Sequence, residues 1–513
     1  MKYIKGDNRS QVSMFPGSLE SAIDLDNEVR IIDMFVDSLN IEELGFRSDH
    51  GENGRPAYHP KDLLKLYIYG YLNKTRSSRD LEKESKRNIE VMWLLNSLSP
   101  DHNTISNFRR DNPQAIKKVF RATVSIARNF NLIGGKLIAG DSTKFRAQNS
   151  KKNNFNKKKI ARHLAYIEDK LAEYEAELSQ CDGDNQALLK EEIAKHKERK
   201  EGYQKLQEEL DKTGATQIST SDPESRHMIS RNNITEVAYN VQTTVDEQNN
   251  IPIDYKVTNE NDSKAMGGML RRAKTILGSN DFTALYDKGY HTGSEFKIAS
   301  QMNIDVMVAV PMVAAQAPNP DYNVEHFIYN KEGDYYRCPQ DKKLITTGTW
   351  HKARTYLFKR YTTKDCMDCP VKDQCSKAKY GKGIQRSEYQ EYINNNKNRI
   401  EQNKNYYRKR QAIVEHPYGT IKRQWGFSYI MTKKYIKRAE ADVGLIFTIY
   451  NLRRLINLIG FEALQNYLKK ALSIFLAAIL TFISQISFTK HEIKNKENNN
   501  YYFDNHLKRL IFG

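Results

Sequence analysis

The chain has 513 residues, more than one compact core holds, so about two to four domains are expected. Lysine and arginine number 81 against 63 acidic residues, a formal net charge of +18. That excess points to a polyanionic partner, nucleic acid before a membrane surface, because cationic side chains displace the counterions condensed on phosphates. Five cysteines in so long a chain exclude a disulfide scaffold and leave clustered thiols to be read as metal ligands or free groups.

The opening "MKYIKGDNRS" runs directly into polar sequence, so secretion is not expected and a cytoplasmic location is. From about Pro60 to Asn112 the pattern is helical. Leu63, Leu64, Tyr67, Ile68 and Leu72 recur at three- and four-residue steps, as one apolar helix face requires. "SPDHNTISNFRR" then offers a turn, an N-cap in Asn103 or Thr104, and a short helix ending in Arg109 and Arg110. Residues 1–130 are therefore expected to form a small all-α domain of helix-turn-helix character, with a packing or dimerisation module as the alternative.

Apolar residues next lead into a lone carboxylate at Asp141 in "LIAGDSTKFRA", followed closely by a dense row of lysines and asparagines. Placed at a strand end, Asp141 reads first as a turn residue. Residues 151–213 differ in composition: Ile160, Leu164, Ile167, Leu171, Tyr174 and Leu178 form a heptad seam, broken by "CDGDN" at Cys181–Asn185 and resumed more loosely from Leu189. This predicts an antiparallel helical hairpin inserted into another domain. Two β-rich runs around the turn "DEQNN" predict a hairpin over Glu236–Asp262, and helix, strand, helix and strand patterns follow to Met312. A mixed sheet flanked by helices places ligands at the carboxyl ends of its strands.

Asp287 repeats the setting of Asp141, since "FTALY" runs straight into it. A third carboxylate, Glu415, lies in "RKRQAIVEHPYGTIKRQWGF" among Arg408, Lys409, Arg410, Lys422 and Arg423; taken alone, it reads as a salt-bridged surface residue. Three carboxylates converging on one place repel one another unless divalent cations neutralise them, and hard oxygen donors suit Mg²⁺ or Mn²⁺. Two such ions ~3.5–4 Å apart can clamp the attacking and leaving oxygens of a phosphoryl displacement. The flanking cations would then hold a DNA backbone across a site whose carboxylates would otherwise repel it.

"GDSTKFRA", "YDKGYHTG" and "VEHPYGTIKRQWGF" together resemble the three acidic motifs of bacterial insertion-sequence transposases of the DDE type. "HPKDLLKLYIYGYLNKTRSSRDLE" with "SPDHNTISNFRR" resembles that family's N-terminal helical DNA-binding domain, and "GLIFTIYNLRRLINL" the helix closing its catalytic domain. The resemblance implies an α/β fold with an RNase H-like mixed sheet over residues 131–460, interrupted by the 151–213 hairpin and by a cysteine-containing insertion over 325–395. It implies Asp141, Asp287 and Glu415 as the catalytic ligands of two Mg²⁺ or Mn²⁺ ions. Lys144, Arg109, Arg110, Arg410 and Lys422 are the expected DNA contacts. The partners implied are double-stranded DNA, as transposon ends and target, and further copies of the chain in a dimer or higher oligomer. Lys422 matches the lysine that this superfamily often places after its glutamate. Arg408 and Gln411 stand where a tyrosine and an arginine are expected, with Tyr407 and Arg410 one residue off. In "SDPESRHM", which also resembles a family motif, Asp222 and Arg226 are read either as support for the site or as a turn with a local ion pair.

Cys338, Cys366, Cys369 and Cys375 follow the pattern C-x27-C-x2-C-x5-C, which suits a tetrahedral structural zinc site; the alternative is four reduced thiols that never meet. Beyond Gly460 an apolar run, Ala471–Ile486, is shorter than the ~20 residues of a spanning helix and carries Ser473, Thr481, Ser484 and Gln485. A buried or partner-facing helix with a polar tail is expected over 461–513, and no membrane span. The reading that best joins these features is a transposase that binds the terminal inverted repeats of its element and cuts and joins DNA. The alternatives are a nuclease on the same fold without strand transfer, and an inactive DNA-binding protein derived from a transposase.

Overall fold

A computed structural model describes residues 18–46, 56–180, 184–229, 234–311 and 317–473. The chain divides into two compact units, one formed by residues 1–123 with 441–513, the other by residues 124–440.

The first unit is helical. Its main elements are Glu28–Asp37, Pro60–Leu72, Ser78–Arg87, Ile89–Leu94, His102–Asp111 and the N-terminal part of Pro113–Asn129, with the later part of Ile436–Ile459. Pro60 sits at the first helical position, where its missing N–H costs nothing, and the His59 ring nitrogen accepts from Lys61 N at 3.2 Å. Leu63, Leu64, Tyr67 and Ile68 are buried as the periodicity predicts, but so are Leu66, Tyr69, Gly70 and Tyr71. This helix is therefore a central one, packed on more than one face. Gly70 permits one of those packings, since a Cβ there would stand 2.3 Å from the Leu81 side chain and 2.6 Å from the Thr75 carbonyl. The cap of the His102–Asp111 helix is Asp101 rather than Asn103 or Thr104: its Oδ1 accepts from both of their backbone amides, at 2.9 and 3.1 Å.

"GLIFTIYNLRRLINL" packs among these helices. Phe447 meets Phe120 edge to face, Asn451 donates to Thr123 at 3.0 Å, and Arg453 pairs with Glu28. The tie is a buried carboxylate, Asp442, whose Oδ2 takes Arg76 at 2.6 Å and whose Oδ1 takes the Tyr71 hydroxyl and Arg109.

The second unit is mixed α/β. Its six-stranded sheet runs, in spatial order, Arg226–Ile229, Thr235–Asp246, Leu137–Arg146, Thr283–Tyr286 and Asp305–Val308, with Ile251–Thr258 also paired to Thr235–Asp246. The Leu137–Arg146 strand is antiparallel to Thr235–Asp246 and parallel to Thr283–Tyr286, so it lies where the sheet changes sense. Ile413 and Val414 of the Lys404–Tyr418 helix close one face over Leu137, Ala139, Val245, Leu285 and Met307. This is the mixed α/β architecture that the DDE resemblance implies, with the predicted strand and helix order largely present. The Arg226–Ile229 strand was not anticipated.

The insertion forms two helices, Lys157–Leu178 and Asp184–Thr213. Ile160, Ile167, Leu171, Ile193 and Leu210 are buried along their seam. After the sheet comes a small β module. Strands Ile328–Asn330, Tyr335–Arg337 and Lys343–Ile345 form one antiparallel sheet, and His351–Lys352, Leu357–Tyr361 and Ile384–Ser387 form another. No helix among the described residues is long and apolar enough to cross a membrane. Beyond Ser473 the apolar run and tail lie outside the described residues.

Candidate active site

The Asp141 strand does not end at the aspartate. It continues to Arg146, with burial falling away after Gly140, so Asp141 is a mid-strand residue at the point where the sheet emerges from its core. Its neighbour explains the preceding glycine: a Cβ on Gly140 would stand 2.0 Å from the Tyr286 ring. That ring belongs to the residue before Asp287, so the close approach brings the two aspartate-bearing segments together. Asp287 follows its strand directly, as expected, and its Oδ1 accepts from Gly289 N at 2.9 Å to cap a short 3₁₀ turn.

The Asp141 side chain is 24% exposed. Burial pushes its carboxyl up to about 6, the Arg410 guanidinium and the Ser142 amide oppose that, and the Asp287 and Asp262 carboxylates add to it.

Asp262 is the neighbour that sequence reasoning missed. Asn240 and Gln242, both buried on the Thr235–Asp246 strand, donate to its Oδ1 at 2.7 Å each, and the Tyr290 hydroxyl fixes Gln242 in turn. Gly289 lies between the two acids, since a Cβ there would be 3.0 Å from Asp287 Oδ1 and 3.5 Å from Asp262 Oδ2. "TNENDSK" carries no apolar approach like those before Asp141 and Asp287, so nothing in its pattern marked this aspartate.

The Lys404–Tyr418 helix contributes three groups. The Tyr407 hydroxyl donates to the Tyr286 carbonyl at 2.8 Å, Arg410 Nη1 stands 3.5 Å from Asp141 Oδ2, and the Tyr418 hydroxyl donates to the Asp141 carbonyl at 3.3 Å. At about 100° per residue, positions 407, 410 and 418 share the face that meets the strands. Of the two residues one position off the family spacing, Arg410 therefore reaches Asp141 and Tyr407 the backbone just before Asp287. Glu415 is turned around that helix from Val414; it is exposed, and its Oε1 accepts from Gln411 at 2.9 Å.

The expected DNA contacts separate into groups. Lys422 donates to the Lys144 carbonyl at 2.6 Å and lies over the Phe145 ring, and Lys144 Nζ contacts Ser142, Asn240 and Asp262. Both lysines therefore flank the strand that carries Asp141. Arg110 is 42% exposed and forks onto Asp111 with two 2.6 Å bonds. Arg109 is a correction: only 4% exposed, it is bonded to Tyr71 and Asp442 inside the helical unit and is not available to a DNA backbone. The "FRRDN" run gave both arginines the same apparent setting, because the burying partner lies 333 positions away. Asp222 is 1% exposed and accepts from the Tyr239 hydroxyl and Tyr435 N, which makes it a structural anchor.

Hard oxygen donors crowded beside one another suit a divalent cation, and Asp141 has the Asp287 and Asp262 carboxylates as its charged neighbours. Glu415 does not join them here. Among the described residues no group of three or more His, Cys, Asp or Glu side chains is already arranged to hold a metal ion.

Residues 17–111 match the family model of a transposase domain (DUF772), and residues 337–456 match that of a transposase DDE domain. Searches of curated proteins and of solved structures gave no significant match. A transposase domain in the helical N-terminal part and a transposase DDE domain spanning Glu415 and Lys422 together support an insertion-sequence transposase of the DDE type.

Proposed function

We propose that the chain binds the terminal inverted repeats of an insertion sequence and catalyses metal-dependent strand cleavage followed by strand transfer into target DNA. The observation that carries this reading is the pairing of Asp141 and Asp287 where the sheet changes sense, with Arg410 and Tyr407 from the adjoining helix on the same two segments. Divalent cations held there would supply Lewis acidity to the scissile phosphate and to the attacking oxygen. Asp141 and Asp287 are the residues that would hold them, with Glu415 as the third candidate ligand. Tyr407 fixes the backbone immediately before Asp287, and Tyr418 that of Asp141, so both carboxylates start from held main chain. Arg410 would exchange its contact with Asp141 for a DNA phosphate. Lys144, Lys422 and Arg110 are the further phosphate contacts of this reading.

A second reading has one observation in its favour. Glu415 is exposed and bonded to Gln411 rather than to the aspartates, as in a DNA-binding protein without turnover. The experiment that separates these readings, and a nuclease from a transferase, supplies labelled end duplexes and a target plasmid with Mn²⁺ or Mg²⁺. End label joined to the plasmid supports the transposase. Cleavage without joining supports the nuclease, and end binding with neither supports the inactive protein.

A further inference from the structure

The thiols of Cys338, Cys366, Cys369 and Cys375 belong to none of the chemistry above. They lie in the small β module after the catalytic sheet, and all four line one hollow, with Phe327 and Lys382 at its wall. Each comes from a tight backbone feature. Cys338 ends the Tyr335–Arg337 strand in a turn where Asp341 N donates to its carbonyl at 2.8 Å. Cys366 closes a 3₁₀ turn, Cys369 follows at the next bend, and Cys375 ends the Lys372–Cys375 helix.

Two backbone N–H groups are aimed at sulfur in this hollow. Lys342 N donates to Cys338 Sγ at 3.3 Å, and the Lys382 amide donates to the Cys366 sulfur. Backbone N–H groups aimed at sulfur are the outer support of a thiolate metal ligand. The chain also passes the second thiol very closely: at Gly381, φ +82°, a Cβ would lie 2.1 Å from Cys366 Cβ and 3.0 Å from its Sγ. Only glycine takes both that conformation and that approach.

The module also lacks the apolar core that would fold it. Its buried side chains are Phe327, Tyr336, Leu344, Tyr361 and Ile384, while Ile328, Ile345 and Tyr380 are each more than 60% exposed. Cys338 and Cys375 pack against that small cluster, so a link between them and the other two thiols would tie the irregular segment 362–383 to the sheets. Small domains in this condition are commonly held by a metal whose binding energy becomes folding energy. The thiols stand around the hollow rather than closed upon a point, so the ion would draw them in.

We propose that Cys338, Cys366, Cys369 and Cys375 bind one zinc ion tetrahedrally, and that this ion holds the β module together. This inference does not depend on the DNA chemistry proposed above. The test uses the reduced full-length chain. Expected results are about one zinc per chain, release of that zinc by a mercurial thiol reagent, and, after exchange with Co²⁺, the intense visible bands of tetrahedral thiolate coordination. Cys369→Ser and Cys375→Ser each lose the metal and open the module to protease, whereas Cys181→Ser keeps it. The cobalt spectrum is read on the wild-type chain, so it stands even where a serine variant fails to fold. Folded, reduced wild-type protein that takes up neither zinc nor cobalt, with four thiols equally reactive in the presence and absence of zinc, would overturn the proposal. So would full zinc retention by both serine variants.

Discussion

Asp141→Asn removes a carboxylate that the fold holds at a cost. Burial and the Asp287 and Asp262 charges raise the Asp141 carboxyl from the ordinary 3.8 to about 6, against the opposing pull of Arg410. Between about pH 4 and pH 6 the folded state then binds more protons than the unfolded chain, so this group's contribution to stability falls as pH rises through that window and is constant above it. A shift of that size corresponds to about 3 kcal/mol. That shift is already net of the Arg410 attraction, so the asparagine variant should be about 3 kcal/mol more stable at pH 8. The advantage should fall to about 1 kcal/mol at pH 4.5. The assay is urea unfolding of both proteins in EDTA at the two pH values, following the unit formed by residues 124–440. A variant less stable than wild type at pH 8, or a difference independent of pH, would refute the reasoning.

Gly140→Ala should destabilise the same unit by about 1–3 kcal/mol, because the Tyr286 ring occupies the space of its Cβ; calorimetry reads the loss. Asp442→Ala leaves Arg76 and Arg109 buried without their carboxylate and should cost the helical unit about 3–5 kcal/mol, visible as an earlier melting step. Arg110→Ala should change stability by less than about 0.5 kcal/mol, since its pair with Asp111 is exposed. If Arg110 meets a phosphate, the same substitution lowers the salt slope of end binding by about one.

The features legible in the sequence are those set by short-range pattern. The hairpin seam at Ile160, Ile167 and Leu171, the "DEQNN" turn and the strand leading into Asp287 all follow from spacing within a few residues. Asp141 was misplaced at a strand end because Ser142, Thr143 and Lys144 read as a polar turn. In the structure they continue the strand, paired to Gln242, Val241 and Asn240 at the emerging edge of the core. What local pattern cannot carry is the partner brought by the fold. Arg109 is buried by Asp442, Asp262 is gathered in by Asn240 and Gln242, and Tyr407 finds the carbonyl of Tyr286. Each depends on segments far apart in the chain. The off-register tyrosine and arginine show the same point from the other side: their spacing departs from the family pattern, yet their helix face still meets the two aspartate-bearing segments.

The account stands most directly on one measurement: metal-dependent cleavage of a labelled duplex carrying the element's own ends, by wild type and by Asp141→Ala, Asp287→Ala and Glu415→Ala, with end binding measured alongside. The account predicts that wild type cuts at the element boundary and that all three variants bind the ends but do not cut. Cleavage retained by any of the three variants, or a folded wild-type protein that binds its ends and never cuts them, would contradict it.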